Sequence, residues 1–198
     1  MTSPSPSPSP SPLGLPAATY RIQFSPQFTF AQAAELVPYL HGLGISECYA
    51  SPILTARRGS AHGYDAVDHA TVSAELGGEP ALKVLCGRLR EAGMGLIVDI
   101  VPNHMCVTDD RNRWWQDVLE YGPDSGFAEF FDIDWSPPDP SLKGKLLLPV
   151  LADRTRRVIA AGGIALAWHD GTLRLRVYEQ HLPVSVRAWP PVDRKSVV

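Results

Sequence analysis

The chain has 198 residues, enough for one domain and a fraction of another, and its 44% hydrophobic and 20% charged residues allow most of it to bury a core. The formal net charge of −3 argues against the basic surface that nucleic acids or anionic membranes require, and it is compatible with a neutral, polar substrate. Three widely spaced cysteines, Cys48, Cys86 and Cys106, favour reduced thiols in a cytoplasmic protein over a disulfide framework.

The first 17 residues are predicted to form a solvated tail. Residues 3–12 alternate serine and proline, and proline fixes φ and removes backbone donors. A ligand for a proline-binding domain is the alternative interpretation of this tract. The N-terminus lacks the basic start and apolar stretch of a signal peptide, and no segment approaches the ~18 apolar residues of a membrane helix.

From about Ala18 the pattern predicts the order strand, helix, strand, helix, strand, which is typical of a parallel α/β fold. The predicted elements are strands at 19–24, 45–50 and 95–101, and helices beginning at the capping box 29–32 and at Pro80. The third strand is almost continuously apolar, which predicts burial on both faces. A long loop is predicted between the second strand and the second helix.

This order could begin a (β/α)8 barrel or a doubly wound sheet, and both folds place sites at the carboxyl ends of their strands. No G-x-G-x-x-G string follows the first strand, which counts against a dinucleotide-binding fold. The pattern of residues 18–104 alone leaves both the barrel and the doubly wound sheet open.

Residues 105–188 have a different pattern and are predicted to form a β-rich insertion after the third strand. The predicted elements are a helix at 111–121, short strands at 145–151 and 156–161, and a hairpin of strands 164–168 and 172–178 turning at Asp170–Gly171. Residues 189–198 show no clear structural pattern, which indicates truncation.

Polar side chains follow the third predicted strand. Asp99 interrupts an apolar run, and a buried carboxylate needs a cation or several donors. Pro102 turns the chain, which leaves Asn103 and His104 at the carboxyl end of the strand, where they could bind hydroxyl groups. From spacing alone, a capping carboxylate and a structural histidine are equally compatible with this pattern.

A second polar cluster, His62-Gly63-Tyr64-Asp65, lies in the loop after the second strand. Tyr64 offers a flat apolar face with a polar tip, which suits stacking on a sugar ring. Asp65 could bind an arginine or hydroxyl groups. Taken alone, this cluster is better explained as an ordinary surface loop with a tyrosine in a small satellite core.

Together, Gly63-Tyr64-Asp65 and the string Asp99-Ile-Val-Pro-Asn-His104 resemble the α-amylase superfamily, in which the second string is the first signature region. Flanking segments are similar to the maltooligosyltrehalose synthases of that superfamily, and the resemblance covers about residues 18–183. The segments concerned are 19–24, 49–53, 59–65, 130–134, 145–149 and 178–181.

The resemblance implies that residues 18–104 are the first part, about three βα units, of a TIM (β/α)8 barrel. It also implies a substrate-binding role for six residues. Tyr64 would stack on the glucose in the reacting subsite, and His104 would hydrogen-bond its primary hydroxyl. Asp99 would hold an arginine near the nucleophile. The remaining members would shape the subsite or support its loop: His62, Asp65 and Asn103. No metal and no cofactor are expected.

The family's nucleophile lies in a Gly-x-Arg-x-Asp string, and no such string occurs in this sequence. The resemblance therefore implies no catalytic residue here, but part of an intramolecular glucosylmutase that acts on maltooligosaccharides and makes the trehalose linkage. His169-Asp170 resembles the last His-Asp motif of the family. It does not occur at that motif's place in the chain order, so we do not assign it to the site. The alternatives are an α-glucan hydrolase or glucanotransferase, a non-catalytic sugar-binding protein and, with less support, a metalloenzyme using His62, Asp99 and His104.

Overall fold

A computed structural model describes residues 15–169 and 171–185, which divide after Cys106 into two compact units. The serine–proline tract, Asp170 of the predicted hairpin turn and the segment 189–198 lie outside the described residues. In the described ranges, no helix is long and apolar enough to cross a membrane.

From residue 15 onward, where its description begins, the first unit contains five strands and two helices. They are β1 (Thr19–Ile22), α1 (Phe30–Gly42), β2 (Glu47–Ala50), β3 (Leu54–Ala56), β4 (Ala66–Val72), α2 (Gly78–Glu91) and β5 (Gly95–Val98), with a short 3-10 turn at Ala74–Leu76. Within its described residues, 107–169 and 171–185, the second unit contains two helices, three strands and three 3-10 turns. They are α3 (Arg113–Tyr121), α4 (Thr155–Ala160), β6 (Ile164–His169), β7 (Thr172–Val177) and β8 (Gln180–Pro183), with turns at Gly122–Asp124, Ala128–Phe130 and Pro140–Leu142.

The predicted strand–helix alternation is confirmed in the first unit, where β1, β2 and β5 form one parallel sheet in that order. Helix α1 begins at the predicted capping box, in which the Thr29 amide donates to Gln32 Oε1 at 2.7 Å. Apolar residues at helical spacing lie on one side of α1 and on one side of α2. Together with residues of the sheet they form the hydrophobic core. Its largest buried members are Phe24, Phe30, Leu40, Leu85 and Leu89.

The prediction that the third strand is buried on both faces is wrong for the described residues. Ile97 remains 37% exposed, although Leu96 and Val98 pack against the core. Alternate side chains of a strand point to opposite faces, and the face of Ile97 also carries Arg21 and Tyr49 in register. The polar face is the one that bears the candidate site.

The segment predicted as a long loop contains the antiparallel pair β3–β4. Strand β3 has only three residues and its pairing with β4 is irregular, so neither shows a clear two-residue period. The pair matters because it holds both ends of residues 57–65, the segment that carries Tyr64. Helix α2 begins at Gly78, two residues before the predicted start.

In the second unit, helix α3 begins after Asn112, whose side chain accepts a hydrogen bond from the Trp115 amide at 3.0 Å. The predicted strands around residue 170 form the hairpin β6–β7, and β8 adds a third antiparallel strand. The strand predicted at 145–151 is absent from the described structure, because Pro149 cannot donate to a ladder. The one predicted at 156–161 is instead helix α4.

Candidate substrate-binding site

Three polar side chains lie on the same face of the parallel sheet near the carboxyl ends of its strands. Arg21 lies in β1 and is paired in register with Tyr49 of β2. Asp99 directly follows β5 and lies two residues beyond Ile97, the register partner of Tyr49. The parallel register therefore brings together residues that are up to 78 positions apart in the sequence.

The Asp99 carboxylate is the centre of this cluster. Its Oδ2 atom accepts hydrogen bonds from the Tyr64 hydroxyl at 2.5 Å, from Arg21 Nη1 at 3.1 Å and from the Tyr49 hydroxyl at 3.3 Å. These donors, the Tyr64 hydroxyl above all, lower the pKa of Asp99 below its ordinary value. Asp99 is therefore ionised near neutral pH and suited to positioning its neighbours rather than to donating a proton.

Arg21, Tyr64 and Asp99 are joined pairwise by three hydrogen bonds. Arg21 Nη2 donates to the Tyr64 hydroxyl at 2.6 Å, and that hydroxyl in turn donates to Asp99. The guanidinium carbon lies 4.4 Å from the centre of the Tyr49 ring, a cation–π contact. The hydrogen bond to Tyr64 is the main reason that the pKa of Arg21 is raised. The position of the Tyr64 ring is thus fixed from its hydroxyl end.

His104 fixes Tyr64 from its backbone. The His104 Nε2 atom lies 2.9 Å from the Tyr64 carbonyl oxygen, and because a carbonyl only accepts, Nε2 carries the proton. The His104 Nδ1 atom lies 3.1 Å from the side-chain oxygen of Asn103. The structure therefore brings Tyr64, Asp99, Asn103 and His104 together, and Tyr64 links the two polar clusters singled out in the sequence.

Asp65 and His62 lie in the adjoining loop. Asp65 accepts hydrogen bonds from the Ser60 hydroxyl and from Arg57 Nε, the latter at 3.2 Å. Burial opposes its ionisation, but these hydrogen bonds outweigh it, so the pKa of Asp65 is lowered. His62 Nδ1 accepts from the Tyr64 amide at 3.0 Å. Both residues thus hold the loop in shape around Tyr64.

Gly63 is required next to Tyr64 for two separate reasons. Its φ of +77° lies in the left-handed region, and a Cβ there would lie 2.7 Å from the Pro52 carbonyl oxygen. Gly59 has a similar φ of +67° but open space around a Cβ. A comparison of alanine substitutions at Gly63 and Gly59 therefore distinguishes the cost of backbone strain from the cost of steric overlap.

Replacing Gly63 by alanine should lower the free energy of unfolding by about 2–4 kcal/mol, because strain and overlap both act. Gly59→Ala should cost only the strain, about 1 kcal/mol. Denaturant unfolding of both variants measures the difference. Equal losses at the two positions would show that the contact with Pro52 relaxes without cost.

Sequence reasoning missed three residues of the site: Arg21, Tyr49 and Arg57. The need of Asp99 for a cation was recognised, but nothing in the spacing identified which arginine supplies it. The usable signal was the position of Arg21, a charged side chain in the middle of a strand of β-forming residues.

The metalloenzyme alternative is not supported by the geometry. Among the described histidine, cysteine and acidic residues, one group of three has ligand atoms close enough for a shared ion, and it does not include His62, Asp99 or His104. The site instead offers an aromatic ring, hydrogen-bond donors and a fixed charge, which suits binding of a polyhydroxylated molecule.

The sequence model of the alpha-amylase catalytic domain matches residues 33–158. A Mycobacterium tuberculosis protein assigned as a maltooligosyl trehalose synthase is 47% identical over 174 residues, which are 85% of this chain and 21% of that protein. The intracellular maltogenic amylase of Bacillus subtilis is 32% identical over 95 residues, which are 48% of this chain and 15% of the amylase.

The solved structure of maltooligosyltrehalose synthase from Arthrobacter ramosus superposes with a TM-score of 0.75 at 45% identity, covering 86% of this chain and 21% of that enzyme. The chain thus spans about a fifth of the length of the relatives that it matches over most of its own length. Both the likeness in sequence and the likeness in structure extend beyond the polar clusters into the second unit.

Proposed function

Because this chain belongs to the α-amylase family, with the catalytic-domain model matching residues 33–158, we propose that it is the part of a maltooligosaccharide glucosylmutase that forms one wall of the substrate site. The whole enzyme would convert the reducing-end α-1,4 link into an α,α-1,1 link. The observation that carries the proposal is the Arg21–Tyr64–Asp99–His104 cluster at the carboxyl ends of parallel strands, the usual place of sites in barrel enzymes.

In this proposal the face of the Tyr64 ring is the platform for one glucose ring. Its hydroxyl is occupied by Arg21 and Asp99, so the ring cannot swing away when a sugar arrives. With its Nε2 atom on the Tyr64 carbonyl oxygen, His104 would accept a hydrogen bond from the primary hydroxyl of the same glucose at Nδ1, in place of the present contact with Asn103. His62 and Asp65 would shape the subsite through the loop around Tyr64.

Retaining glycoside chemistry uses a nucleophilic carboxylate and an acid/base carboxylate about 5 Å apart. The described residues of this chain would bind and orient the donor ring for those groups. In a mutase, the released glucose rather than water would capture the glycosyl intermediate through its anomeric hydroxyl. A binding wall held rigid by Asp99 would favour the bound transition state over the free sugar.

A hybrid enzyme tests this proposal. Residues 15–185 would replace the matching segment of the Arthrobacter ramosus synthase, and maltopentaose would be the substrate. We expect reducing ends to disappear while a trehalose-ended pentasaccharide forms. An increase in reducing ends would instead favour the hydrolase alternative, to which the 32% identity with the maltogenic amylase also points.

Within the hybrid, Tyr64→Ala should lower kcat/KM for maltopentaose by about 100-fold, because the sugar loses its platform and a misplaced substrate reacts slowly. Tyr39→Ala is the matched control, since Tyr39 is a 62% exposed tyrosine on α1. A Tyr64→Ala hybrid as active as the control would remove the basis for the assigned role of Tyr64.

The 198-residue chain by itself should show no turnover of maltopentaose, because the sequence has no Gly-x-Arg-x-Asp string and a barrel of this kind needs ~250 residues. Chromatography of the sugar products measures this. Calorimetry with the same sugar separates a chain that binds without turnover from one that does neither. A trehalose-ended product from the chain alone would contradict the assignment of both catalytic carboxylates to other sequence.

The proposed substrate is a neutral α-1,4-glucan, and nothing in the net charge favours nucleic acid or a membrane surface as a partner. We place the whole protein in the cytoplasm. The three cysteines all lie in the described part of the chain, where no disulfide joins them.

A further inference from the structure

Two histidines and an aspartate of the second unit converge on one point. Asp110, His169 and His181 each offer one ligand atom, and these atoms all lie within 4.8 Å of one another. We propose that these three side chains bind a divalent zinc ion. The cluster shares no residue with the candidate substrate-binding site, and the proposal does not depend on the glucan chemistry.

The three-stranded sheet places the two histidines on a common face. Ala165 of β6, Arg176 of β7 and His181 of β8 are paired in register, and His169 lies four residues along β6 from Ala165. Side chains an even number of positions apart share a face. The two imidazole rings lie parallel at 3°, with centroids 4.0 Å apart. The rings are therefore close neighbours, and at least one of them must rotate for both nitrogen lone pairs to point at one ion.

Asp110 approaches this face from the segment that precedes α3. Its Oδ2 atom lies 3.3 Å from His169 Nε2. The carboxylate supplies negative charge where two imidazoles meet, and both side chains of the pair remain accessible, His169 at 33% and Asp110 at 40% exposure. An ion can therefore enter from solvent, and a carboxylate compensates part of its charge.

The donor set fits zinc. Two neutral imidazoles and one carboxylate are ligands of zinc sites that keep a fourth position for water. Two ligand atoms of a tetrahedral zinc ion, each about 2.1 Å from the metal, lie about 3.4 Å apart. The widest pair here, within 4.8 Å, must therefore close by up to about 1.4 Å, which side-chain rotation can supply. Calcium and magnesium are disfavoured because they prefer oxygen ligands.

Bound zinc would join the residues before α3 to strands β6 and β8. In the sequence these ligands are separated by 59 positions between Asp110 and His169, with His181 beyond them. A cross-link between distant segments that forms only in the folded state stabilises that state by mass action. The expected effect of zinc is therefore to stabilise the fold of the second unit.

The experiment titrates the complete 198-residue chain, stripped with EDTA, with zinc chloride by calorimetry. We expect one saturable site per chain and a rise in Tm of roughly 5–10 °C when zinc is 100-fold above its Kd. His169→Gln and His181→Gln should each weaken zinc binding at least about tenfold. His41→Gln, in α1, should bind zinc as the unchanged chain does.

Asp110→Asn is a second test, needed in case a histidine variant fails to fold. Asp110 is exposed and lies outside the regular elements, so its replacement should not disturb folding. It should also weaken binding at least about tenfold, with an unchanged far-ultraviolet circular dichroism spectrum in the absence of zinc. The proposal is overturned if the unchanged chain shows no saturable zinc binding. It is equally overturned if zinc binds the Asp110 and histidine variants as tightly as it binds the His41 variant.

Discussion

Asp99→Asn should reduce kcat/KM of the hybrid enzyme for maltopentaose by about 100-fold or more. Asparagine retains the size of the side chain and one oxygen acceptor, but it removes the charge that Arg21 and the two tyrosine hydroxyls share. The Tyr64 ring is then held less firmly, and small displacements of a binding group have effects of about this size on rate. The proposed substrate-binding wall therefore depends on the negative charge of Asp99.

The same substitution should change how stability depends on pH. The pKa of Asp99 is lowered in the folded chain, so its stabilising effect is complete above the unfolded value of about 3.9 and is lost as the pH falls towards the folded value. Asp99→Asn should lower the free energy of unfolding at pH 7 by about 1–2 kcal/mol. Between about pH 5 and pH 2 the variant should then lose less further stability than the unchanged chain.

Asp68→Asn is the matched control, since Asp68 is a carboxylate of β4 that accepts only local hydrogen bonds from Ala70 and Thr71. It should leave kcat/KM within about threefold of the unchanged hybrid, as a substitution away from the site does. Equal losses of rate in the two aspartate variants would indicate a general effect on folding. An Asp99 variant with full activity would mean that Arg21 and Tyr64 hold their positions without the charge.

The elements that sequence reasoning located correctly are those with a strong local signal. The capping box at Thr29 and Gln32 and the apolar spacing of α1 depend only on neighbours along the chain, so they can be recognised in one sequence. The pair β3–β4 was not recognised because its pairing is long-range and irregular. Residues 155–160 form helix α4 where a strand was predicted, because a short apolar run is compatible with either element.

The residues of the candidate site also differ in whether local sequence is enough to identify them. Asp99, His104 and Tyr64 could be selected because a carboxylate in an apolar strand and a tyrosine after a glycine are locally unusual. That Tyr64 contacts both Asp99 and His104 depends on the parallel register of β2 and β5 and on the loop between β3 and β4. No local pattern carries that information. The same applies to Asp110, His169 and His181, which only the fold of the second unit brings together.

Phe30→Ala should lower the free energy of unfolding of the first unit by about 3–5 kcal/mol, the largest loss of stability that we predict. Phe30 is the first residue of α1 and is completely buried. Its ring meets the Phe24 ring edge to face, with centroids 4.9 Å apart, and Phe24 lies two residues beyond the end of the strand that carries Arg21. Removing the ring leaves a cavity between α1 and the sheet that the close-packed neighbours cannot fill.

Denaturant unfolding followed by circular dichroism measures this loss, with Tyr39→Ala as the control on the same helix. Tyr39 is 62% exposed, and alanine is the better helix former, so the control should change stability by no more than about 0.5 kcal/mol. Typical domains have about 5–15 kcal/mol in total, so Phe30→Ala should also weaken sugar binding by populating unfolded chains. If both variants unfold at the same denaturant concentration, the packing of α1 on the sheet is not what holds Arg21 and Asp99 in register.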